Sequence, residues 1–129
     1  MSTITELIVD AYGCRCDLSD VDLLERAARK ALEGIGASVV KTASHRFQPH
    51  GLTLCLILME SHFLLSTWPE HGLAVVNVFL CNGEMDPREV WQAFSGTLLP
   101  TDCVFHSVSR ELRDKGSGKE LGNRAKATG

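Results

Sequence analysis

Residues 51–81 read GLTLCLILMESHFLLSTWPEHGLAVVNVFLC, and the apolar runs in this stretch decide the fold. The leucines at even positions 52–58 share one face of a strand, because successive side chains in a strand point to opposite faces. The odd positions 53–59 are also mostly apolar, so this strand is expected to lie inside a sheet that is covered on both faces. Three strands are expected here, at residues 51–59, 62–68 and 72–81.

The residues before this stretch predict two more strands and a helix. Residues 4–10 and 37–47 are rich in β-forming side chains, and the turn composition of residues 48–51 links the second run to the strand that follows. Between the two runs, apolar residues recur at three- and four-residue steps from Val21 to Ile35, which is the spacing of one helix face. Ser19 is expected to be the N-cap of this helix.

The residues after this stretch predict a second helix and a last strand. Asp86, Pro87 and Glu89 provide an N-cap, a proline at the first helical position and a glutamate at the third. Pro100 ends this helix, and residues 103–108 are expected to form a strand. Residues 110–129 are polar with almost no apolar anchor, so they are expected to form a mobile tail.

Two helices for about six strands favour an α+β fold. The expected architecture is a two-layer sandwich, in which a mainly antiparallel sheet carries both helices on one face. Residues 1–109 would form this single domain. Because two helices cover only one face, the apolar odd positions of residues 53–61 remain uncovered, and a homodimer is expected to cover them.

Composition excludes several classes of function. The chain has 129 residues, 44% of them hydrophobic, and a formal net charge of -3. No basic run lies outside the tail and no apolar run reaches the roughly 18 residues that span a bilayer, so neither nucleic acid nor a membrane is an expected partner. The N-terminus lacks a signal sequence and the cysteines are odd in number, which favours a soluble cytoplasmic protein with reduced thiols. No metal is expected, because the cysteines and histidines lack ligand-like spacing.

The most unusual local feature is the polar group Glu60-Ser61-His62 between two apolar strands. A tight polar turn explains it as well as a nucleophile pair does. Neighbouring residues on a strand point to opposite faces, so His62 is poorly placed to act as a base for Ser61. Residue types alone leave both interpretations open.

The chain resembles the bacterial and archaeal S-adenosylmethionine decarboxylases from about residue 4 to about residue 108. The resemblance lies in motifs that occur in the same order as in that family: Tyr12-Gly13-Cys14, His45-Arg46-Phe47, Glu60-Ser61-His62, Thr67-Trp68-Pro69-Glu70 and Val78-Phe79-Leu80-Cys81.

The resemblance implies a proenzyme that makes its own pyruvoyl cofactor. The hydroxyl of Ser61 would attack the carbonyl carbon of Glu60, and elimination would then cut the chain between residues 60 and 61. The resulting α chain would begin with a pyruvoyl group, which forms a Schiff base with the substrate amine. The implied reaction is that of a carboxy-lyase, which removes carbon dioxide from S-adenosylmethionine to make the aminopropyl donor for spermidine in polyamine biosynthesis. The expected assembly is a homodimer of cleaved α and β chains.

The resemblance also implies roles for single residues. Cys81 matches the catalytic acid that returns a proton after carbon dioxide leaves. Glu70 matches the acidic residue that accepts hydrogen bonds from the ribose hydroxyls of the substrate. Phe47 and Trp68 would offer aromatic surface to the adenine or the sulfonium group.

Four positions depart from the family pattern. Ser66 stands where the family has the histidine that drives elimination, and Thr53 stands where it has a serine that assists processing. Phe63 replaces an aliphatic residue and Asn77 an acidic one, changes that could alter which amine fits.

These departures leave three hypotheses open. The first is S-adenosylmethionine decarboxylation, with another base such as His62, His71 or His50 in place of the missing imidazole. The second is a pyruvoyl enzyme that acts on another amino acid, such as ornithine or arginine. The third is an unprocessed homologue that binds a ligand or regulates a partner.

Overall fold

The structure is a computed structural model that describes residues 2–113. The helices and strands follow one another as β1 (Ser2–Tyr12), α1 (Val21–Glu33), β2 (Val39–Arg46), β3 (Leu52–Leu58), β4 (Ser61–Trp68), a single 3₁₀ turn (Pro69–His71), β5 (Leu73–Leu80), α2 (Pro87–Leu98) and β6 (Asp102–Leu112). Of the predicted tail, residues 114–129 lie outside the described part of the chain.

The six strands form one antiparallel sheet in the order β2-β3-β4-β5-β1-β6. Strands β2 to β5 follow one another as neighbours, whereas β1 lies between β5 and β6 and pairs with both. The predicted α+β sandwich is therefore confirmed. No helix within residues 2–113 has the length and apolar character needed to cross a bilayer.

Both helices pack on one face of the sheet, and the core lies between the two layers. The leucines at even positions 52–58 face the helices and are at most 3% exposed. Phe63 on β4 meets Phe94 on α2 edge to face, with ring centroids 5.2 Å apart. Full burial of a leucine or phenylalanine stabilises the fold by roughly 1.5–3 kcal/mol, so this layer holds the domain together.

The other face of the sheet, which we call the open face, is not covered by any element of residues 2–113. Ile57 on β3 is 43% exposed there, and Val104 and Val108 on β6 are 42% and 41% exposed. Within the single chain β3 is therefore covered on one face, because both helices pack on the same side, and the covering of its second face by a homodimer stays a prediction.

Two local details also differ from the predictions. The N-cap of α1 is Asp20 rather than Ser19, since the Asp20 carboxylate accepts from the backbone N–H of Leu23 at 3.1 Å. The last strand continues past the predicted end at residue 108, because its backbone stays paired with β1 as far as Leu112 opposite Ser2. The prediction of a mobile tail is therefore wrong for residues 110–112, which belong to the sheet.

Candidate active site

The predicted cleavage site lies in the turn between β3 and β4. Leu58 pairs with Ser61, so Met59 and Glu60 alone make the turn. Glu60 has φ 71, in the left-handed region that side chains other than glycine rarely adopt, at a cost of roughly 1 kcal/mol or more. The hydroxyl of Ser61 lies 3.4 Å from the carbonyl oxygen of Met59, to which it donates. The peptide bond between residues 60 and 61 thus sits in an exposed and strained turn.

Cys81 lies beside this turn, directly after β5. The β4–β5 register pairs His62 with Phe79, and continuing it by two places sets Glu60 opposite Cys81. Burial raises the pKa of the Cys81 thiol above its ordinary value, and the charge of Glu60 raises it further. The thiol therefore keeps its proton at neutral pH. We call the group Glu60, Ser61 and Cys81 the cleavage end.

A second group of predicted residues lies at the other end of the same strands. Thr53 on β3 pairs with Ser66 on β4, and their hydroxyl oxygens are 3.4 Å apart on the open face. Phe47 and Trp68, at this end of the sheet, are 49% and 41% exposed. Glu70 in the 3₁₀ turn lies close by along the chain. We call the group Phe47, Thr53, Ser66, Trp68 and Glu70 the aromatic end.

Buried contacts hold the turn that carries Glu70. The buried hydroxyl of Thr67 donates to the carbonyl of Leu18 at 2.8 Å and accepts from the backbone N–H of Leu52 at 3.0 Å. The carboxylate of Glu70 in turn lies 3.2 Å from Nε2 of His50, in the loop between β2 and β3. These contacts fix the segment 67–70 against the start of β3.

The close approach of the two loops requires a glycine. Gly51 has φ 101, and a Cβ atom there would lie 2.9 Å from the carbonyl oxygen of Thr67. Only a residue without a side chain fits both the backbone conformation and the space. Gly51 therefore explains why the loop with His50 can reach Glu70.

The structure does not bring the cleavage end and the aromatic end together in one chain. Ser61 and Ser66 are five residues apart on β4, and at about 3.3 Å per residue this separates them by about 17 Å. Phe63 belongs to neither group, since it is fully buried on the helix-covered face. This placement favours a role in core packing over the predicted contact with substrate.

The sequence model of the family described as S-adenosylmethionine decarboxylase matches residues 5–111. The chain belongs to the S-adenosylmethionine decarboxylase family. The resemblance inferred from the ordered motifs is thereby confirmed.

Relatives in this family are similar over much of the chain. The S-adenosylmethionine decarboxylase proenzyme of Thermosipho melanesiensis is 37% identical over 90 residues, which cover 69% of this chain and 67% of the relative. The proenzyme of Aquifex aeolicus is 34% identical over 125 residues, covering 94% of this chain and 87% of that protein. The crystal structure of the adenosylmethionine decarboxylase from Aquifex aeolicus superposes with a TM-score of 0.75 and 26% identity, covering 92% of this chain and 98% of that one.

The structure of this family member also contains a polar network that sequence reasoning missed. The side-chain N–H of Asn77 on β5 donates to the carboxylate of Glu6 on β1 at 2.7 Å. The carbonyl oxygen Oδ1 of Asn77 is buried and has no hydrogen-bond partner within the described residues. The polar interruption at residue 77 was visible in the sequence, but its partner was not, because the two strands are adjacent only in the fold.

No group of three or more histidine, cysteine or acidic side chains within residues 2–113 is arranged to hold a metal ion.

Proposed function

We propose that this member of the S-adenosylmethionine decarboxylase family is a proenzyme that cuts itself between Glu60 and Ser61 and then decarboxylates S-adenosylmethionine. The observation that carries the proposal is the turn itself. Ser61 directly follows Glu60, whose backbone is strained at φ 71, and the protonated thiol of Cys81 lies across from them. The family membership and the names of the relatives support the same activity.

Cleavage uses the hydroxyl of Ser61. Its oxygen attacks the carbonyl carbon of Glu60, the amide C–N bond breaks, and an ester takes its place. A base then removes the Cα proton of Ser61, the Cβ–O bond breaks, and Glu60 leaves as a carboxylate. Water converts the remaining dehydroalanine to a pyruvoyl group, with release of ammonia. The β chain ends at Glu60 and the α chain begins at residue 61.

The residues at the cleavage end fit a pyruvoyl group at position 61. Ser61 is half-buried beside an exposed turn, so the group would be held by β4 while remaining open to a substrate amine. When present, it supplies an electron sink for the electrons left by the departing carboxylate. Cys81 holds a proton at the same end, which suits it to return that proton to the substrate carbon.

The aromatic end provides the groups expected to bind the rest of the substrate. The carboxylate of Glu70 is an acceptor for ribose hydroxyls, and His50 holds it at 3.2 Å. Phe47 and Trp68 expose aromatic surface that suits an adenine ring or a sulfonium cation. Phe63 lies in the core and is left out of this set.

A second copy of the chain would unite the two ends. Catalytic contacts need separations of about 3 Å, whereas roughly 17 Å lies between Ser61 and Ser66 of one chain. If the open faces of two copies pack with their strands in opposite directions, the aromatic end of each copy meets the cleavage end of the other. The homodimer of α and β chains is therefore proposed as the active unit.

Intact-mass measurement under denaturing conditions tests cleavage. We expect freshly purified protein to give two fragments that meet at residues 60 and 61, the second with a pyruvoyl terminus. The Ser61→Ala variant is the control and should give one uncut chain. An uncut wild-type chain that stays uncut on long incubation would overturn the proposal in favour of an unprocessed binding or regulatory homologue.

Release of labelled carbon dioxide from carboxyl-labelled S-adenosylmethionine tests the reaction. Labelled ornithine and arginine serve as the competing substrates. We expect turnover of S-adenosylmethionine alone. A fully cleaved protein that released carbon dioxide from another amino acid and not from S-adenosylmethionine would contradict the proposed substrate.

A further inference from the structure

Three side chains form a row across the open face at the aromatic end. The β2–β3 register pairs His45 with Thr53, and the β3–β4 register pairs Thr53 with Ser66. Residues directly opposite each other in an antiparallel pair project from the same face of the sheet. His45, Thr53 and Ser66 therefore project side by side, with Thr53 in the middle.

The row combines one hydroxyl pair with an exposed imidazole. The hydroxyl oxygens of Thr53 and Ser66 are 3.4 Å apart. The His45 ring packs edge-on against the Phe47 ring, with centroids 4.7 Å apart and planes at 70°. His45 is exposed, so solvent or a second chain can reach its ring nitrogens. Neighbouring strands are about 4.8 Å apart, which sets the imidazole one strand beyond the Thr53 hydroxyl.

The other histidines are engaged elsewhere or lie outside this row. His62 stacks on Phe79 at the cleavage end, with centroids 5.1 Å apart and planes at 27°. His50 contacts the carboxylate of Glu70, and His106 contacts Asp10 at 3.4 Å. His71 lies in the 3₁₀ turn, off the sheet. Within residues 2–113, His45 forms neither an ion pair nor a side-chain hydrogen bond, so its ring nitrogens remain available to a second chain.

We propose that His45 is the base that drives the elimination step, in place of the family's histidine, which is absent at position 66. The inference rests on the proposed function, since the row acts on Ser61 of a second copy. The Cα proton of the esterified Ser61 of the second copy passes to a ring nitrogen of the exposed His45. The Cα–H electrons form the double bond, and the Cβ–O pair leaves with the carboxylate of Glu60.

The rate of self-cleavage in His45→Ala tests the proposal, with intact mass followed over time after rapid purification. We expect cleavage to slow by at least about 100-fold, which is the usual loss when a positioned base is removed. His106→Ala is the matched control, because it removes another exposed histidine of the open face. We expect this control to cleave at the wild-type rate.

A trapping experiment identifies the step that His45 serves. If elimination is blocked and ester formation is not, the variant accumulates an ester between residues 60 and 61. Hydroxylamine at neutral pH cuts esters and leaves amides, so it should release a fragment that begins with serine. Added imidazole should restore part of the normal cleavage. Slow cleavage with no hydroxylamine-sensitive bond would overturn the proposal, because His45 would then act earlier or only on folding.

A double variant tests whether His45→Ala loses cleavage only because the protein no longer folds. His45→Ala with Ser66→His returns an imidazole to the row from the neighbouring strand, and we expect it to regain cleavage. If wild-type protein is cut and His45→Ala is cut equally fast, the inference fails while the proposed function stands. If wild-type protein is never cut, the proposed function fails and the inference falls with it.

Discussion

The two faces of the sheet differ in what they carry. On the helix-covered face, Val9, Leu54 and Val76 are completely buried. On the open face, Ile57 and Trp68 remain 43% and 41% exposed. Strand alternation makes this division, because each strand sends every second side chain to each face.

The difference divides the core from most of the predicted site residues. The helix-covered face carries the core together with the buried Phe63 and the half-buried Ser61, which pairs with Leu58 at the end of that face. The open face carries the cross-strand pair Thr53 and Ser66, whose hydroxyls are 3.4 Å apart. A face that carries reactive side chains and apolar surface together is suited to a second covering, and the proposed second copy would supply it.

The largest expected effect tests whether each active site combines residues from two chains across their open faces. Cys81→Ser and Glu70→Gln should each lose about 100-fold or more of decarboxylation, since one lacks the proton donor and the other a substrate contact. Mixed dimers, isolated by two different affinity tags, should regain about half of wild-type activity, because one of their two sites is intact.

The control is a mixture in which one chain carries both changes and the other carries one. Every site in that dimer is defective, so activity should stay low. If the first mixture also stays inactive, each site is contained in one chain and the open face has no catalytic need of a partner.

The next effect compares the two faces directly. Phe63→Ala should lower the free energy of unfolding by about 3–5 kcal/mol, because it leaves a cavity against Phe94. Ile57→Ala on the open face should cost less than about 1 kcal/mol in the single chain, since that side chain is already 43% exposed. Urea unfolding at low protein concentration measures both, with each change made in the uncut Ser61→Ala protein. Equal losses of the free energy of unfolding in the two variants would show that the open face contributes as much to stability as the helix-covered face.

A smaller effect concerns the edge of the helix layer, where Cys14 packs against the core. Burial, with the charges of Cys16 and Cys103, raises the pKa of the Cys14 thiol from 9.0 to about 11. As the pH rises, the unfolded chain therefore loses the Cys14 proton before the folded chain does, which favours unfolding. The contribution of the protonated thiol to the free energy of unfolding is present below pH 9 and is lost as pH rises toward 11. Unfolding of Cys14→Ala should depend less on pH in this window, by at most about 3 kcal/mol. The same pH dependence in both proteins would contradict the expectation.

The smallest effect lies at the end of α2. Leu99 has φ 49, a left-handed conformation that leucine rarely adopts, and nearly half of its surface, 46%, is exposed. Leu99→Gly should raise the free energy of unfolding by up to about 1 kcal/mol, because glycine adopts this conformation without a steric penalty. Thermal melting measures the gain. A lower melting temperature would show that the exposed part of Leu99 contributes more than its backbone costs.

Much of the fold could be predicted because local patterns specify it. The leucines at even positions 52–58 predicted the buried face of β3, and Asp86 predicted the start of α2. The ordered motifs also predicted the family. These features depend on residues close together in the chain, where alternation and capping act.

Features that depend on distant residues could not be predicted in the same way. The hydrogen bond of Asn77 to Glu6 requires β1 beside β5, a neighbourhood that no local pattern specifies. Phe63 was expected at the substrate because it replaces an aliphatic residue of the family directly after the Glu60-Ser61-His62 motif, and only the fold shows that it is buried against α2. The distance between Ser61 and Ser66 could be calculated from the rise of a strand. That a second copy could bridge this distance became clear only when the structure showed an uncovered face of the sheet.

The position of β1 has a consequence for the protein after cleavage. A cut between residues 60 and 61 puts β1, β2 and β3 in one fragment and β4, β5 and β6 in the other. Because β1 lies between β5 and β6, the two fragments are interleaved in one sheet. The fragments should therefore stay together without a covalent link. Refolding of the mature protein, however, requires two fragments to associate, so its stability should rise more steeply with protein concentration than that of the uncut Ser61→Ala protein.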